Sequence, residues 1–196
     1  DLYKYMKNLG HRLGASGTPM ENTLQGLRNS LHLVSNPRFK YWEFDIHESK
    51  DNILFLFHDD IIGINNSTEE LKYMKFIDIK AAGIKNNINI PTLDEIVLEL
   101  FPRSEKIIIE IKNIMSDKCR TKIIETVSSI PNCKIMITPN RFDVVFPSEN
   151  RDYWHNEFNR NSIKLIMVGR HKVDMFKTSN TFLGKYLLKP KWFFGF

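Results

Sequence analysis

The run Tyr41-Trp42-Glu43-Phe44-Asp45-Ile46-His47, followed closely by Ile53-Leu54-Phe55-Leu56-Phe57-His58-Asp59, decides how this chain folds. Aromatic and β-branched residues dominate both runs, and the first alternates apolar with polar side chains, so both read as strands. Residues two apart in a strand share a face. Glu43, Asp45 and His47 therefore point one way, and Trp42, Phe44 and Ile46 the other. Two acids and an imidazole on one side of a strand are costly to bury unless their charge is used. The intervening Glu48-Ser49-Lys50-Asp51-Asn52 is rich in turn formers and too short for a parallel crossover, so the runs form an antiparallel hairpin. Folding about that turn brings His58 beside Glu43. The expectation is one small pocket holding two carboxylates and an imidazole, a site for metal-assisted acid/base chemistry.

Composition sets the frame around this pocket. At 196 residues, 42% hydrophobic and 26% charged, the chain reads as one globular domain with a substantial core. No apolar run approaches the ~20 residues of a membrane span. Cys119 falls in a helix-like segment and Cys133 opens a strand-like one. Both read as small hydrophobic residues, and a reducing, cytoplasmic setting is expected. The net charge of +5 is scattered, which fits general surface charge with some attraction for an anionic small molecule. Zinc-finger spacing and RNA-binding aromatic signatures are absent from the sequence, and no nucleic-acid partner is expected.

Upstream, residues 3–9 form a mixed strand candidate, and the glycine-bearing Gly10-His11-Arg12-Leu13-Gly14 follows. Leu24, Leu27, Leu31 and Val34 then share one helical face, with Asn22 or Thr23 as its cap. A strand, a loop bearing His-Arg and a helix open a β/α fold, where chemistry sits at the C-terminal ends of strands. Alone, His11 reads as a surface histidine and Arg12 as a solvated charge; their adjacency at a strand end, ahead of the Glu43 cluster, favours function.

Downstream, residues 60–89 are polar with one helix-like piece, Thr68-Glu69-Glu70-Leu71-Lys72. A helix is expected over 91–99 with Ile96, Val97 and Leu100 inward, then a buried parallel strand over 106–112. Glu110 and Lys112 share a face of that strand. With Glu43 and Asp45 nearby, Glu110 reads as a third metal ligand, and three oxygen ligands without cysteine suit Mg²⁺ or Ca²⁺. Further helices are expected over 117–130 and 150–160, the latter with Trp154 and Phe158 inward, and strands over 133–138 and 163–168. The one remaining strand-like run is Trp192-Phe193-Phe194-Gly195-Phe196. His32, His155 and His171 read as structural or surface residues.

Taken together, His11-Arg12-Leu13-Gly14, Pro19-Met20-Glu21-Asn22-Thr23, Glu43-Phe44-Asp45, Ser49-Lys50-Asp51, Phe57-His58-Asp59, Pro91-Thr92-Leu93-Asp94-Glu95 and Ile109-Glu110-Ile111-Lys112 resemble, in order, the motifs of the glycerophosphodiester phosphodiesterase family. Two departures stand in the opening motif. Leu13 intrudes before the glycine, and Met20 separates Pro19 from Glu21; in a loop, both are expected to alter shape more than chemistry.

The resemblance implies an α/β fold, the TIM-type (β/α)₈ barrel of phospholipase C-like phosphodiesterases, abbreviated or incomplete on the C-terminal side, since five candidate strands fall short of eight. It implies a single domain over 1–196 with a short insertion at about 47–90. It also implies hydrolysis of a glycerophosphodiester to glycerol 3-phosphate and an alcohol. On that reading Glu43, Asp45 and Glu110 hold a divalent cation, Arg12 and Lys112 bind the phosphate, and His11 and His58 serve as acid and base in an order left open. His47 supports the site. A lyase stopping at a cyclic phosphate and an inactive phosphate-binding barrel are the alternatives.

Overall fold

The structure, a computed structural model, describes residues 8–64 and 67–167. The strand expected over 3–9 falls outside the described residues except for Asn8 and Leu9, as do His171 and the run at 192–196. Helix α1 (Leu24–Ser30) leads through a 3₁₀ turn (Leu31–Ser35) to strands β1 (Trp42–Glu48), β2 (Leu54–Leu56), β3 (Ile61–Ile64) and β4 (Ser67–Glu70). Helices α2 (Phe76–Lys85) and α3 (Leu93–Leu100) precede β5 (Ile107–Asn113), α4 (Asp117–Ser129) and β6 (Cys133–Ile137). Helices α5 (Pro139–Val145) and α6 (Arg151–Arg160) then lead to β7 (Leu165–Met167).

Five strands form one sheet in the order β2-β1-β5-β6-β7, in which β1, β5, β6 and β7 run parallel and β2 is an antiparallel edge. The alternation along each strand sorts its side chains. Trp42, Phe44, Ile46, Ile109, Ile111, Ile135 and Ile137 enter the main core with Ile96 and Leu100 of α3, Ile123 and Val127 of α4, and Trp154 and Phe158 of α6. On the opposite face, Tyr41, Ile108 and Met136 make a small apolar cluster. Beyond it, towards the C-terminal strand ends, that face turns acidic: Glu43 and Asp45 on β1, Glu110 with Lys112 on β5. Asp45 is the direct register partner of Glu110.

Residues 60–90 depart from expectation. The helix-like piece at 68–72 is β4 followed by a 3₁₀ turn (Leu71–Tyr73), because the segment pairs with β3, Ile61 opposite Glu70. The helix lies further on, at α2, where Ile79 and Ala82 pack with Phe55, Ile62, Leu71 and Ile90 in a second core. The second quoted run is a strand only over Leu54–Leu56, so His58 lies past its end. Helix α5 was not expected at all; it starts on Pro139, whose fixed φ suits a first turn. Helix α3 opens on a capping box: Thr92 accepts from the Glu95 amide while Glu95 reaches back to the Thr92 amide.

Glu48, at the end of β1 and fully buried, ties the sheet to α4. Its carboxylate accepts from the Met115 amide at 2.6 Å, the Ser116 amide at 2.9 Å and Asn52 Nδ2 at 2.8 Å. These donors hold its pKa below the usual carboxylate value against the opposing effect of burial. Removing the carboxylate strands buried amides, so Glu48→Ala is expected to destabilise the fold by about 3 kcal/mol, read as a shift in the urea midpoint. A change within about 0.5 kcal/mol would show that water replaces the carboxylate without loss.

Candidate active site

The loop before α1 sets the site. Gly10 lies so close to β1 that a Cβ there would meet the Tyr41 carbonyl oxygen at 2.0 Å, and its own carbonyl accepts from the Glu43 amide. A short 3₁₀ turn (His11–Gly14) follows, in which Arg12 (φ 49°) and Leu13 (φ 59°) are left-handed, a region non-glycine residues rarely occupy. That geometry turns the Arg12 amide onto Glu43 Oε2 at 2.9 Å and lets the Arg12 carbonyl accept from the Ala15 and Asn22 amides. Leu13 is fully buried in the main core. The extra residue thus anchors the loop, whereas Met20 stays exposed.

Around this loop the expected acids meet. One carboxylate oxygen from each of Glu43, Asp45 and Glu110 lies within 4.8 Å of the others, and all three residues are buried. Lys112 Nζ bridges two of them, 2.9 Å from Asp45 Oδ1 and 2.7 Å from Glu110 Oε1. Arg12 Nε approaches Asp45 Oδ2 at 3.7 Å, but its Nη1 is engaged by both oxygens of Glu21, at 2.8 and 2.9 Å. His11 Nε2 stands 3.6 Å from Glu43 Oε2 while its Nδ1 is 2.9 Å from Ser16 Oγ. His58 sits partly exposed with Nδ1 2.6 Å from Asp59 Oδ1. It is close enough to His11 for its charge to be felt there.

Electrostatics follows from this crowding. Burial first, and then the Asp45 charge, push the Glu43 carboxyl well above the usual carboxylate range. Beneath it, burial and Glu43 raise the Tyr41 phenol to about 12. Burial would depress the Lys112 ammonium, yet Asp45 and Glu110 outweigh it and hold its pKa above an ordinary lysine. Burial, followed by the Arg12 charge, lowers His11. One lysine faces three carboxylates, and Glu43 Oε1 is buried with no hydrogen-bond partner. A hard divalent cation suits this oxygen set: it would supply the missing positive charge and occupy the orphaned lone pairs.

Three residues outside the sequence expectation complete the site. Asn22, read as a helix cap and as part of the opening motif but given no site role, donates from Nδ2 to Asp45 Oδ2 at 2.8 Å and accepts from the Asp45 amide at 3.2 Å; Thr23 caps α1 instead. Arg141 on α5 clasps Asp60 with two bonds, at 2.7 and 2.8 Å, and also donates to the Lys112 carbonyl. Asp60 follows His58 by two residues, so this clasp fastens the His58 segment to the end of β5.

A profile of the glycerophosphoryl diester phosphodiesterase family matches residues 11–134. The chain belongs to that family. No curated protein sequence matches it. Among solved structures, it is similar to a glycerophosphoryl diester phosphodiesterase from Parabacteroides distasonis at 19% identity and a TM-score of 0.57, covering 94% of this chain and 59% of that one. A glycerophosphodiester phosphodiesterase from the same organism aligns at 15% identity, TM-score 0.54, over 82% of this chain and 63% of that one. An Oleispira antarctica phosphodiesterase, in complex with the product sn-glycerol-3-phosphate, aligns at 18% identity, TM-score 0.51, over 81% and 73%. The chain therefore spans about three-fifths of the two Parabacteroides proteins. These likenesses place the mostly parallel sheet in the TIM-type barrel fold of the family, with four parallel strands among the described residues.

In this phosphodiesterase-family site His47 departs from simple alternation. The β1–β5 register shifts between Ile46 and His47, and the ring stacks on Phe55 at 5.7 Å between centroids. Burial, helped by the Arg141 charge and opposed by that of Asp60, brings its pKa down to about 4. A folded value below the unfolded 6.5 means that stability is present in full above pH 6.5 and is lost as pH falls through 4. With a chelator present, the stability difference between wild type and His47→Gln should change by about 3 kcal/mol from pH 7 to pH 4, measured by urea unfolding. Parallel pH profiles would show that His47 titrates normally.

Proposed function

We propose that this site hydrolyses glycerophosphodiesters to glycerol 3-phosphate and an alcohol, with a divalent cation bound by Glu43, Asp45 and Glu110. The observation that carries the reading is the convergence of those three buried carboxylates beside His11, with one carboxylate oxygen left unpartnered. The family membership supports it. When bound, Mg²⁺ or Ca²⁺ would polarise a phosphoryl oxygen and neutralise developing charge.

The chain's own residues supply the rest. The Arg12 guanidinium, held by Glu21, stands as a fixed positive charge for a phosphoryl oxygen. Lys112 shares its ammonium between Asp45 and Glu110, and carries the same role into the phosphate position. His11, kept neutral by burial and by Arg12, is suited to take the proton of the attacking oxygen. His58, oriented by Asp59, is suited to give one to the departing alkoxide. Asn22 fixes the Asp45 carboxylate, and the Arg12 amide fixes that of Glu43, so neither must reorganise as charge develops.

The test is release of glycerol 3-phosphate from a panel of glycerophosphodiesters, and of p-nitrophenol from bis(p-nitrophenyl) phosphate. Each is run with EDTA and with added Mg²⁺ or Ca²⁺. EDTA should abolish turnover, and His11→Ala or His58→Ala should lower kcat by roughly 10²–10⁴-fold with thermal unfolding unchanged. Turnover indifferent to EDTA and to both substitutions would overturn the proposal. A cyclic phosphate persisting in phosphorus NMR would replace hydrolysis by a lyase reaction.

A further inference from the structure

Beside the acid cluster, at the C-terminal ends of β1, β5 and β6, lies a cavity of about 630 Å³, within the range of small-molecule sites. Lys112, whose ammonium contacts Asp45 and Glu110, lines it, so the cavity adjoins the proposed phosphate position. A phosphodiester held there has two arms, and the character of this cavity decides what one arm can be.

Every charged group on its wall has its counter-charge in place. Lys72 pairs with Glu70 at 2.6 Å, Arg141 with Asp60 at 2.7 Å, and Lys112 with Asp45 and Glu110. An anionic alcohol finds no spare cation here, and a cationic one no spare carboxylate. The cavity's phenolic ring, Tyr73, is already covered by the Lys72 ammonium, 4.8 Å from the ring centre. A quaternary ammonium would have to displace that lysine to gain an aromatic face.

The uncharged polar groups are the ones left open. Asn113, Thr138 and Asn140 line the cavity, and among the described residues no side-chain partner engages them. His47 lines it too, 1% exposed, with Nε2 lacking a partner. Amides and hydroxyls both donate and accept, as does an alcohol hydroxyl, which satisfies an imidazole nitrogen in either tautomer.

From this wall we infer that the cavity receives the alcohol arm of the substrate and that this arm is a neutral polyol, such as glycerol or a cyclitol, rather than choline or ethanolamine. The inference rests on the phosphodiesterase reading and adds the substrate class to it. The side chains that select the polyol are those of Asn113, Thr138 and Asn140, each donating to or accepting from a hydroxyl. A site built to hydrogen-bond hydroxyls rejects a ligand without them because its polar groups are then left unpaired.

The experiment compares kcat/KM of the full chain, with the cation that supports turnover, for glycerophosphoglycerol, glycerophosphoinositol and glycerophosphocholine. The two polyol esters should exceed the choline ester by about tenfold or more. Thr138→Val and Asn140→Leu should each lower the polyol-to-choline ratio by about 3- to 10-fold. Choline turnover equal to or above that of both polyols would overturn the inference. An equal loss on all three esters in the variants would do the same. If no ester is cleaved, nor bis(p-nitrophenyl) phosphate, the phosphodiesterase reading fails by itself. Calorimetric titration of the three esters then decides: tighter polyol binding upholds the inference, and equal or weaker binding overturns it.

Discussion

Three carboxylates share one buried spot on the sheet, and their mutual repulsion is the constraint around which the site is arranged. Ionisation of Glu43 is disfavoured there, because water is excluded and Asp45 and Glu110 lie close by. The neighbouring groups answer that problem in part. Lys112 shares one positive charge between two acids, Asn22 and the Arg12 amide donate to Asp45 and Glu43, and one oxygen of Glu43 remains without a partner. A fold stabilised for its own sake would place apolar residues on this face, as it does one layer below with Tyr41, Ile108 and Met136. The incomplete neutralisation is therefore evidence of use, because it leaves binding energy available to a cation and an anionic ligand together.

Backbone strain belongs to the same arrangement. Arg12 and Leu13 occupy left-handed conformations that are unfavourable by about 1–2 kcal/mol per residue. Burial of the Leu13 side chain offsets this, at roughly 1.5–3 kcal/mol for a fully buried leucine. The residue that interrupts the family's opening motif is thus what holds the loop in its bent form. The bend aims one amide at Glu43 and presents His11 beside it.

The strands and the acid cluster were legible in the sequence because both obey short periods. Alternation put Glu43 with Asp45 and Glu110 with Lys112, and an inter-strand turn too short for a crossover fixed β2 as antiparallel. Helices α3, α4 and α6 were legible from capping residues and apolar spacing. Helix α2 leaves little apolar period in the sequence, because its buried face is only Ile79, Ala82 and Gly83. Helix α5 is short and opens on Pro139. Asn22 acts through two hydrogen bonds to Asp45 and Glu48 through three to the segments around it, contacts that leave no periodic trace. Arg141 pairs with Asp60 across 81 positions, a partnership no local pattern announces.

That long-range clasp bears on how precisely such a site can be held. The acids ride on adjacent parallel strands, where register alone fixes their spacing. His58, by contrast, follows the end of the edge strand β2 and leads into the separate β3–β4 hairpin, outside the five-stranded sheet. Left to itself such a segment would sample several positions, and a displacement near ~1 Å would be enough to impair severely the acid role proposed for His58. Arg141 engages Asp60 with both nitrogens of its fork and the Lys112 carbonyl with one of them, so three elements meet on one planar group. The Asp60 carbonyl in turn accepts from the Leu71 amide, which closes the base of the hairpin on the same anchorage. A lysine, with a point charge and a flexible stem, would keep the attraction but not the planar two-bond geometry. The orientation of the His58 segment relative to the acids is in this way a property of α5.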